Sequence, residues 1–489
     1  MVFSNAVFLF LFLPLTLMVY YSPLCKKIGI KNIWLLLVSL GFYAWGEPVY
    51  IFLMVLSIIV NHGFGLLAEK FAKSQEGMLI VGIACLYNLG VLFVFKYLAW
   101  ILKAFLHYDS SNCRLASLVL PIGISFYTFQ ALSYVIDVYR GGDRAQKNIL
   151  NTGLYIAFFP QLIAGPIVRY KTVSEQILNR THSFSLFSHG TRRFIVGLSK
   201  KLLLANNVAP LVYHAFAAQG SECSVLFAWA GALAFVLQIY FDFSGYSDMA
   251  IGLGKMFGFN FQENFNYPYI SKSITEYWRR WHISLGQWFR DYLYYPLASG
   301  PSVTIRKGLV KIAGRQGSGI ITNALVLLIV WFATGLWHGA NSTFVLWGLL
   351  QFVFILWEQH RHFKEKGRLS AAYAFASTFI RILLTKVLFR AESLCDAVNY
   401  YRSMFHLSNN KWIDETGIYF LGQYKAFLLI GLLFCFPVME KIGELCARKT
   451  EKSAQFYYNL QNFLLALLFV LDLAYAIGGG YNPFLYFNF

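Results

Sequence analysis

The chain has 489 residues, of which 57% are hydrophobic and 13% are charged, and its mean hydropathy is +0.53. This composition excludes a set of soluble domains with polar surfaces and indicates a polytopic membrane protein. The formal net charge of +18 would suit a nucleic-acid partner. No soluble basic domain carries that charge, so we expect no nucleic-acid partner.

Twelve apolar runs along the chain are candidates for membrane-spanning helices. Most are close to the length of about 20 residues that a helix needs to cross a hydrocarbon core of roughly 30 Å. We therefore expect an all-α fold with about twelve crossings. Two further stretches, 150–168 and 282–300, are interrupted by prolines or charged residues and are predicted to be re-entrant or interfacial. The twelve runs are 6–22, 33–45, 48–66, 78–104, 115–138, 202–218, 224–256, 320–337, 341–358, 371–389, 423–440 and 461–478.

The distribution of Lys and Arg orients the chain. If the N-terminus lies outside, the loops on the inner side hold 23 of these residues and the opposite loops hold three. This asymmetry follows the positive-inside rule and predicts which loops are cytoplasmic. The first run is predicted to stay as an anchor, because no basic residue precedes it and Lys26, Lys27 and Lys31 follow it. The inner loops are 26–31, 70–73, 139–149, 169–201, 359–368 and 441–452, and the segment 402–423 is predicted to lie outside.

The seven cysteines are scattered without C-x-x-C spacing. They indicate neither a disulfide framework nor a zinc site, so we expect no bound metal. Their simplest role is that of small apolar packing residues. The expected organisation is one membrane domain over 1–489, with a motif-bearing core at 115–358, N-terminal helices in 1–114 and C-terminal helices in 371–489.

A titratable histidine follows one of the apolar runs. Run 320–337 has no charged residue, and His338 comes next, within the segment Gly335–Gly339. An ionisable side chain at membrane depth is costly and is by default a functional hypothesis. Thr334, the glycines of this segment and Asn341 weaken a helix, so we expect a helix break at which His338 lines a cavity. The alternative is a core imidazole bonded to a carbonyl group.

A second polar island lies at Ile274–Pro296, where aromatic residues alternate with charged ones. Such a pattern is typical of a membrane interface. One interpretation is a surface helix anchored by Trp278, Trp281 and Trp288. The density of charge around His282 favours a functional site instead, because polar islands in lipid are usually sites.

Five motifs follow one another along the chain: Pro121–Gln130, Phe158–Ile167, Gln238–Ala250, Trp278–Pro296 and Gly335–Gly339. In this order they resemble the membrane-bound O-acyltransferase family. The resemblance is strongest to the bacterial branch that includes the membrane subunit of alginate O-acetylation, and it covers nearly the whole chain. Three shorter segments are similar to that branch as well. They are Met1–Ser4, Phe42–Pro48 and Tyr481–Phe484.

The resemblance implies a fold, a site and partners. The fold is a ring of tilted helices around a thinned centre, with a tunnel reaching from the cytoplasmic side. The site is defined by two histidines, matched by His282 and His338, of which the second is the catalytic one. The donor is acetyl-CoA or another acyl thioester, used as a substrate with no bound cofactor. A separate, extracytoplasmic, SGNH-hydrolase-like acyltransferase completes the transfer to a polysaccharide.

The chemistry of acyl transfer fits these residues. Transfer to a hydroxyl group needs a base for its proton and donors for the oxyanion. We expect His338 to be the base, because imidazole titrates near neutral pH, and rank a covalent acyl-histidine below that role. Backbone amides of Gly335–Gly339 or the side chain of Asn341 are candidate oxyanion donors, and Trp337 is a further candidate for substrate binding. His282 is expected to position the donor or His338.

Two sets of charged residues have weaker assignments. Three arginines are candidates for binding the phosphates of coenzyme A, although lipid headgroups explain them equally. Three aspartates are candidates for supporting the site, with helix capping or packing as the alternative. The arginines are Arg279, Arg280 and Arg290, and the aspartates are Asp242, Asp248 and Asp291.

The expected function is transfer of an acyl group, with acetyl favoured, from a cytoplasmic thioester across the bacterial cytoplasmic membrane to an extracytoplasmic polysaccharide. One alternative is transfer of D-alanine from a carrier protein to teichoic acid, against which the alginate-like chain ends argue. A second alternative is a proton-coupled transporter that uses His338 and Asp242 as a relay. The lack of matching halves in the sequence argues against a transporter.

Overall fold

The computed structural model describes residues 1–106, 118–218, 220–360, 368–479 and 484–485, and every regular element in these ranges is helical. Three predictions fall partly outside them: the start of run 115–138, the 359–368 loop and the Tyr481–Phe484 motif. The α-helices are α1 Leu13–Tyr21, α2 Ile28–Gly46, α3 Ile51–Lys70, α4 Gln75–Phe93, α5 Ala99–Leu106, α6 Ile124–Tyr139, α7 Ile149–Ala157, α8 Phe159–Leu162, α9 Tyr170–Leu178, α10 Phe184–Ser199, α11 Asn206–Ala217, α12 Val225–Met256, α13 Ile274–Arg280, α14 Ile283–Phe289, α15 Tyr295–Ser299, α16 Pro301–His338, α17 Ser342–His360, α18 Arg368–Arg390, α19 Leu394–Met404, α20 Glu415–Phe434, α21 Val438–Lys449 and α22 Glu451–Gly478.

Ten of the described helical segments are long and apolar enough to cross a membrane, and a shorter apolar helix covers Phe8–Tyr21. The prediction of an all-α polytopic membrane protein is confirmed. Of the twelve predicted runs, ten overlap these long segments. The other two correspond to the Phe8–Tyr21 helix and to α6, which has 16 residues and is almost wholly buried. Neither 150–168 nor 282–300 forms a long helix.

Several helices extend beyond the predicted runs. Helix continues from Phe184 through Ala217, so residues 184–201, predicted to belong to a loop, are helical. α16 begins 19 residues before run 320–337 and is kinked at Gly314, where φ is +67°. α20 begins at Glu415, ahead of run 423–440, because the Asp414 carboxylate accepts a hydrogen bond from Gly417 N at 2.9 Å. Polar helical turns lower local hydropathy, which is why hydropathy alone placed these boundaries wrongly.

The described residues form two compact units. Over the described residues, unit 1 comprises those within 1–198 and 246–263 together with 473–479 and 484–485, and unit 2 comprises those within 199–245 and 264–472. Unit 1 has an aromatic core in which the ring of Tyr134 lies 4.9 Å from that of Tyr170. Unit 2 contains both histidines singled out by the sequence. The single domain predicted for 1–489 stays a prediction.

α16 and α17 form a helical hairpin in unit 2, joined by residues 339–341. A Cβ atom on Gly335 would lie 2.6 Å from the carbonyl oxygen of Phe344. A Cβ atom on Gly348 would overlap the carbonyl oxygen of Trp331. Small residues therefore let the two backbones touch, as they do in membrane helix pairs. The helix break was predicted over Gly335–Gly339, and within that segment the helix continues through Gly335 and ends at His338. The break lies only on the C-terminal side of the histidine.

Candidate active site

His282 lies in the turn between α13 and α14, with its backbone in the left-handed region at φ 45° and ψ 53°. A residue other than glycine is strained there, and such positions cluster at functional sites. His282 is only 1% exposed. Its carbonyl oxygen accepts a hydrogen bond from Gly286 N at 3.1 Å, which fixes the start of α14. The turn thus holds a buried histidine with a strained backbone in the interior of unit 2.

The side chain of Asn264 fixes the His282 imidazole. Its Oδ1 accepts hydrogen bonds from Ser284 N at 3.1 Å and Ser284 Oγ at 2.8 Å, and lies 3.3 Å from His282 Nδ1. An amide oxygen can only accept, so we assign the ring proton to Nδ1 and the lone pair to Nε2. Burial, with the positive charge of Lys386 as the second cause, lowers the pKa of His282 to about 3. The imidazole is therefore neutral at physiological pH.

His338 is the last residue of α16 and is 6% exposed. Aromatic rings surround its imidazole: the centroid distances are 5.0 Å to Trp337, 5.0 Å to Trp347 and 5.1 Å to Phe389. These rings come from α16, α17 and α18. The histidine is thus enclosed by three consecutive helices rather than facing lipid.

The structure brings the two histidines to one indole. The Trp337 ring lies 5.9 Å from the His282 imidazole and 5.0 Å from that of His338, measured between centroids. A residue predicted to contact substrate is therefore the common neighbour of both imidazoles. The sequence placed these histidines in separate motifs, and their proximity depends on how α14 packs within unit 2.

The His282 segment is anchored to the hairpin by its first turn. Glu358 of α17 accepts hydrogen bonds from Ile274 N at 2.6 Å and Thr275 N at 2.9 Å, and pairs with Arg381 at 3.2 Å. A carboxylate at a helix N-terminus satisfies amides that the helix itself leaves open. Trp281 and Trp288 of this segment are 3% and 6% exposed. The Trp281 and Trp288 rings thus pack into unit 2, while Arg279 and Arg290 of the same segment stay exposed, and the choice between a tryptophan-anchored surface helix and a functional site stays a prediction.

The three candidate arginines differ in their environments. The side chain of Arg280 pairs with Glu276 at 2.9 Å, and that of Arg290 pairs with Asp291 at 2.9 Å. Arg279 is exposed, and Arg290 keeps 53% of its side chain exposed. The contact of Asp291 is therefore an ion pair with the neighbouring Arg290. The guanidinium groups lie at the rim of unit 2, while both histidines lie inside.

Asp242 and Asp248 each form a buried or partly buried ion pair. Asp242 accepts a hydrogen bond from Lys201 Nζ at 2.5 Å in unit 2, where both side chains are at most 3% exposed. Asp248 pairs with Arg193 at 2.6 Å in unit 1, and Arg193 also contacts Glu263 at 2.6 Å. Lys201 belongs to a π-helical turn, Lys200–Ala205, between α10 and α11. Each aspartate is thus held by a cation, and its predicted role in supporting the site stays a prediction.

The side chain of Asn341 forms hydrogen bonds to two main-chain groups, one at the start of α17 and one after the end of α18. Its Nδ2 donates to the Glu392 carbonyl oxygen at 2.7 Å, and its Oδ1 accepts from Thr343 N at 3.2 Å. The side chain thereby fixes the start of α17 beside the His338 terminus. Among the residues that the structure describes, no cluster of three His, Cys, Asp or Glu side chains could hold a metal ion.

Three residues of this site were not predicted from the sequence: Asn264, Glu358 and Lys386. Asn264 precedes α13 in a segment without regular structure and carries no motif of its own. Glu358 lies at the end of run 341–358, where charged residues are common, so its position did not indicate a role in the site. Lys386 carried a signal, because it is a cation inside run 371–389.

Comparison with known proteins relates this geometry to a family. The model of the MBOAT, membrane-bound O-acyltransferase family, matches residues 142–312, which include His282. A probable alginate O-acetylase, AlgI, of Pseudomonas putida is 37% identical, with all of both chains covered. The corresponding protein of Pseudomonas aeruginosa is 40% identical over 93% of this chain and 86% of its own. A peptidoglycan O-acetyltransferase of Helicobacter pylori is 29% identical over 100% of this chain and 98% of its own.

Proposed function

Because the chain belongs to the membrane-bound O-acyltransferase family and is an O-acyltransferase, we propose that it serves the O-acetylation of an extracytoplasmic polysaccharide. The names of its relatives specify O-acetylation of alginate and of peptidoglycan, both built on sugar chains. The donor is acetyl-CoA or another acyl thioester on the cytoplasmic side. The protein works in the bacterial cytoplasmic membrane.

The observation that carries this proposal is the pair of buried imidazoles against the Trp337 ring. Acyl transfer needs a base that is neutral before it acts, in a site from which water is largely excluded. His338, to which we assign the base, lies in such an enclosed site, at 6% exposure among aromatic rings. His282 lies beside the same Trp337 ring, and burial lowers its pKa and keeps it neutral, so its ring can accept a hydrogen bond from the acceptor hydroxyl. A transporter would need a continuous polar path, and aromatic rings line this site instead.

We assign the base to His338. Its imidazole takes the proton of the acceptor hydroxyl, whose oxygen attacks the thioester carbonyl carbon. The carbon–sulfur bond then breaks, and the thiolate leaves with the proton that His338 took up. His282 presents Nε2 as an acceptor, because Asn264 holds Nδ1, and it orients the donor or the acceptor hydroxyl.

We assign binding of the acyl thioester donor to the arginines at the surface of unit 2. Coenzyme A carries phosphates, and guanidinium groups bind phosphate with paired hydrogen bonds. Arg279 is exposed, whereas Arg280 and Arg290 already contact Glu276 and Asp291. Arg279 is therefore the first candidate for the phosphate contact. An SGNH-hydrolase-like protein outside the membrane is the partner that completes transfer to the polymer.

The test is a transfer assay with labelled acetyl-CoA in purified membranes, with and without the extracytoplasmic partner. Wild-type membranes should move label to a glycan or to the partner. His338→Ala and His338→Gln should retain less than about a tenth of that rate, since general-base catalysis typically contributes 10²- to 10⁴-fold. His360→Ala is the matched control, because His360 is an exposed histidine at the end of α17.

Two outcomes would contradict the proposal. If wild-type membranes transfer no acetyl label but do transfer D-alanine from a carrier protein, the proposed acetyl donor is wrong and the D-alanyl carrier protein is the donor. A His338→Gln variant that keeps more than about a tenth of the wild-type rate, beyond what loss of a base allows, would move the base to His282.

A further inference from the structure

Lys386 is a buried cation held by aromatic rings. It belongs to α18 and is 3% exposed. Its Nζ lies 4.3 Å from the ring centroid of Trp281, 4.8 Å from that of Phe389 and 5.9 Å from that of Trp347. Ring faces attract an ammonium group, so the three rings form a cage of partial negative charge.

The rings of this cage are those that surround the two histidines. Phe389 and Trp347 lie 5.1 Å and 5.0 Å from the His338 imidazole. Trp281 directly precedes His282, and the charge of Lys386 acts on the His282 imidazole. The ammonium group therefore shares one aromatic enclosure with both imidazoles.

No carboxylate among the described residues forms an ion pair with Lys386. Glu358, the acidic residue that α18 does contact, pairs with Arg381 five positions earlier. Aromatic faces do not replace the three hydrogen bonds that an ammonium group can donate. A buried charge without a counter-ion is costly to retain, and at membrane depth such residues mark functional positions. The cage therefore leaves Lys386 able to bind an anionic or carbonyl oxygen.

We propose that Lys386 is a catalytic residue whose ammonium group binds the oxygen of the acyl carbonyl and stabilises the oxyanion formed during transfer. This inference rests on the proposed function. As the acceptor oxygen bonds to the carbonyl carbon, the carbonyl π electrons move to its oxygen, where Lys386 Nζ donates a hydrogen bond. When the carbon–sulfur bond breaks, these electrons re-form the carbonyl group, and the thiolate accepts the proton held by His338. Lys386 keeps its own protons throughout.

Such a role explains why a cation lies in the cage. A donor that is fixed in place before the reaction, in a site without water, stabilises developing charge without reorganising. Asn341, the donor expected from the sequence, already donates to the Glu392 carbonyl oxygen. Lys386 brings a full charge from a helix that the motifs did not include.

The test compares Lys386→Met and Lys386→Arg with wild-type protein in the labelled-acetyl assay, together with thermal unfolding of the purified proteins. Lys386→Met removes the charge and leaves a flexible apolar side chain that packs well against aromatic rings. Because replacing a buried charge by an apolar group is often neutral or stabilising, its midpoint of unfolding should equal or exceed that of wild type. Its kcat should fall about 10²- to 10³-fold, with KM for acetyl-CoA nearly unchanged. Lys386→Arg keeps the charge and should retain more activity than the methionine variant. Lys425→Met, an exposed lysine of α20, is the control and should keep the wild-type kcat.

Each contrary result has its own meaning. A lowered unfolding midpoint with kcat within about threefold of wild type would make Lys386 a packing residue and overturn the inference, since loss of an oxyanion donor costs far more. A rise in KM with kcat unchanged would also overturn it, because the residue would then bind the donor rather than the transition state. Wild-type protein that transfers no acetyl group would reject the proposed function, and the inference with it.

Discussion

Replacing Asn264 by alanine should disable the site by releasing His282. The Oδ1 atom of Asn264 accepts hydrogen bonds from His282 Nδ1, Ser284 N and Ser284 Oγ, at distances of 2.8–3.3 Å. At about 1 kcal/mol for each bond, the loss is about 3 kcal/mol of unfolding free energy, and more if water cannot reach the donors left behind. The imidazole would also lose the acceptor that fixes its tautomer. We expect the transfer rate to fall up to about 100-fold, as it does when a catalytic group moves by about 1 Å.

Two measurements on purified protein test this prediction: the midpoint of thermal unfolding and the acetyl-transfer rate. Asn266→Ala is the matched control, because Asn266 lies two residues further on, is exposed, and shows only main-chain hydrogen bonds. The control should resemble wild type in both measurements. If Asn264→Ala unfolds at the same temperature as the control and keeps its rate, the Asn264 side chain does not hold the imidazole, and our tautomer assignment fails with it.

Three further predictions concern pH, donor binding and topology. Since the pKa of His282 is lowered to about 3, this residue should contribute no loss of activity as the pH falls from about 8 to about 5. Asn264→Asp should raise that pKa by favouring the imidazolium ion, and so introduce a loss at low pH that reverses at high pH; a rate–pH profile parallel to wild type would refute this. Arg279→Gln should raise KM for acetyl-CoA more than it lowers kcat, whereas reduced protein abundance with KM unchanged would indicate a lipid or packing contact. In a background in which Cys113 and the exposed Cys395 are replaced by serine, an impermeant thiol reagent applied to intact cells should label Asn409→Cys in the predicted outer segment 402–423 and spare Lys27→Cys in the predicted inner loop 26–31. The reverse pattern would invert the topology.

Hydropathy was sufficient to predict the membrane-spanning helices, because burial in lipid is set by composition over about 20 residues. It failed where a helix carries polar turns. Residues 184–201 and 301–319 are helical although they hold several basic side chains, since backbone hydrogen bonding and packing extend a helix beyond its apolar stretch. The helix break was predicted over Gly335–Gly339, and α16 does end there, at His338, but Gly335 itself stays helical and allows the close approach of α17. The same residue type serves both purposes, and the sequence alone does not distinguish them.

The candidate site was predictable where its residues are unusual in lipid. His338 and His282 each stand out as a titratable group in apolar surroundings, and the structure brings both to Trp337. Asn264 was not predictable, because its role depends on a turn that places His282 and Ser284 around one oxygen atom. Lys386 was visible as a charge in an apolar run. Its meaning depended on which aromatic rings surround it, and that is a property of tertiary packing.

The close approach of α16 and α17 at Gly335 and Gly348 affects how the site can change during evolution. The two helices touch through their main chains, so both glycine positions are closed to every other residue, because any side chain there would force the hairpin apart. Trp347 and Phe389 are constrained for a different reason, since each ring lies against both the His338 imidazole and the Lys386 ammonium group. Adaptation of the enclosure to a longer acyl group is therefore expected at other positions than these four.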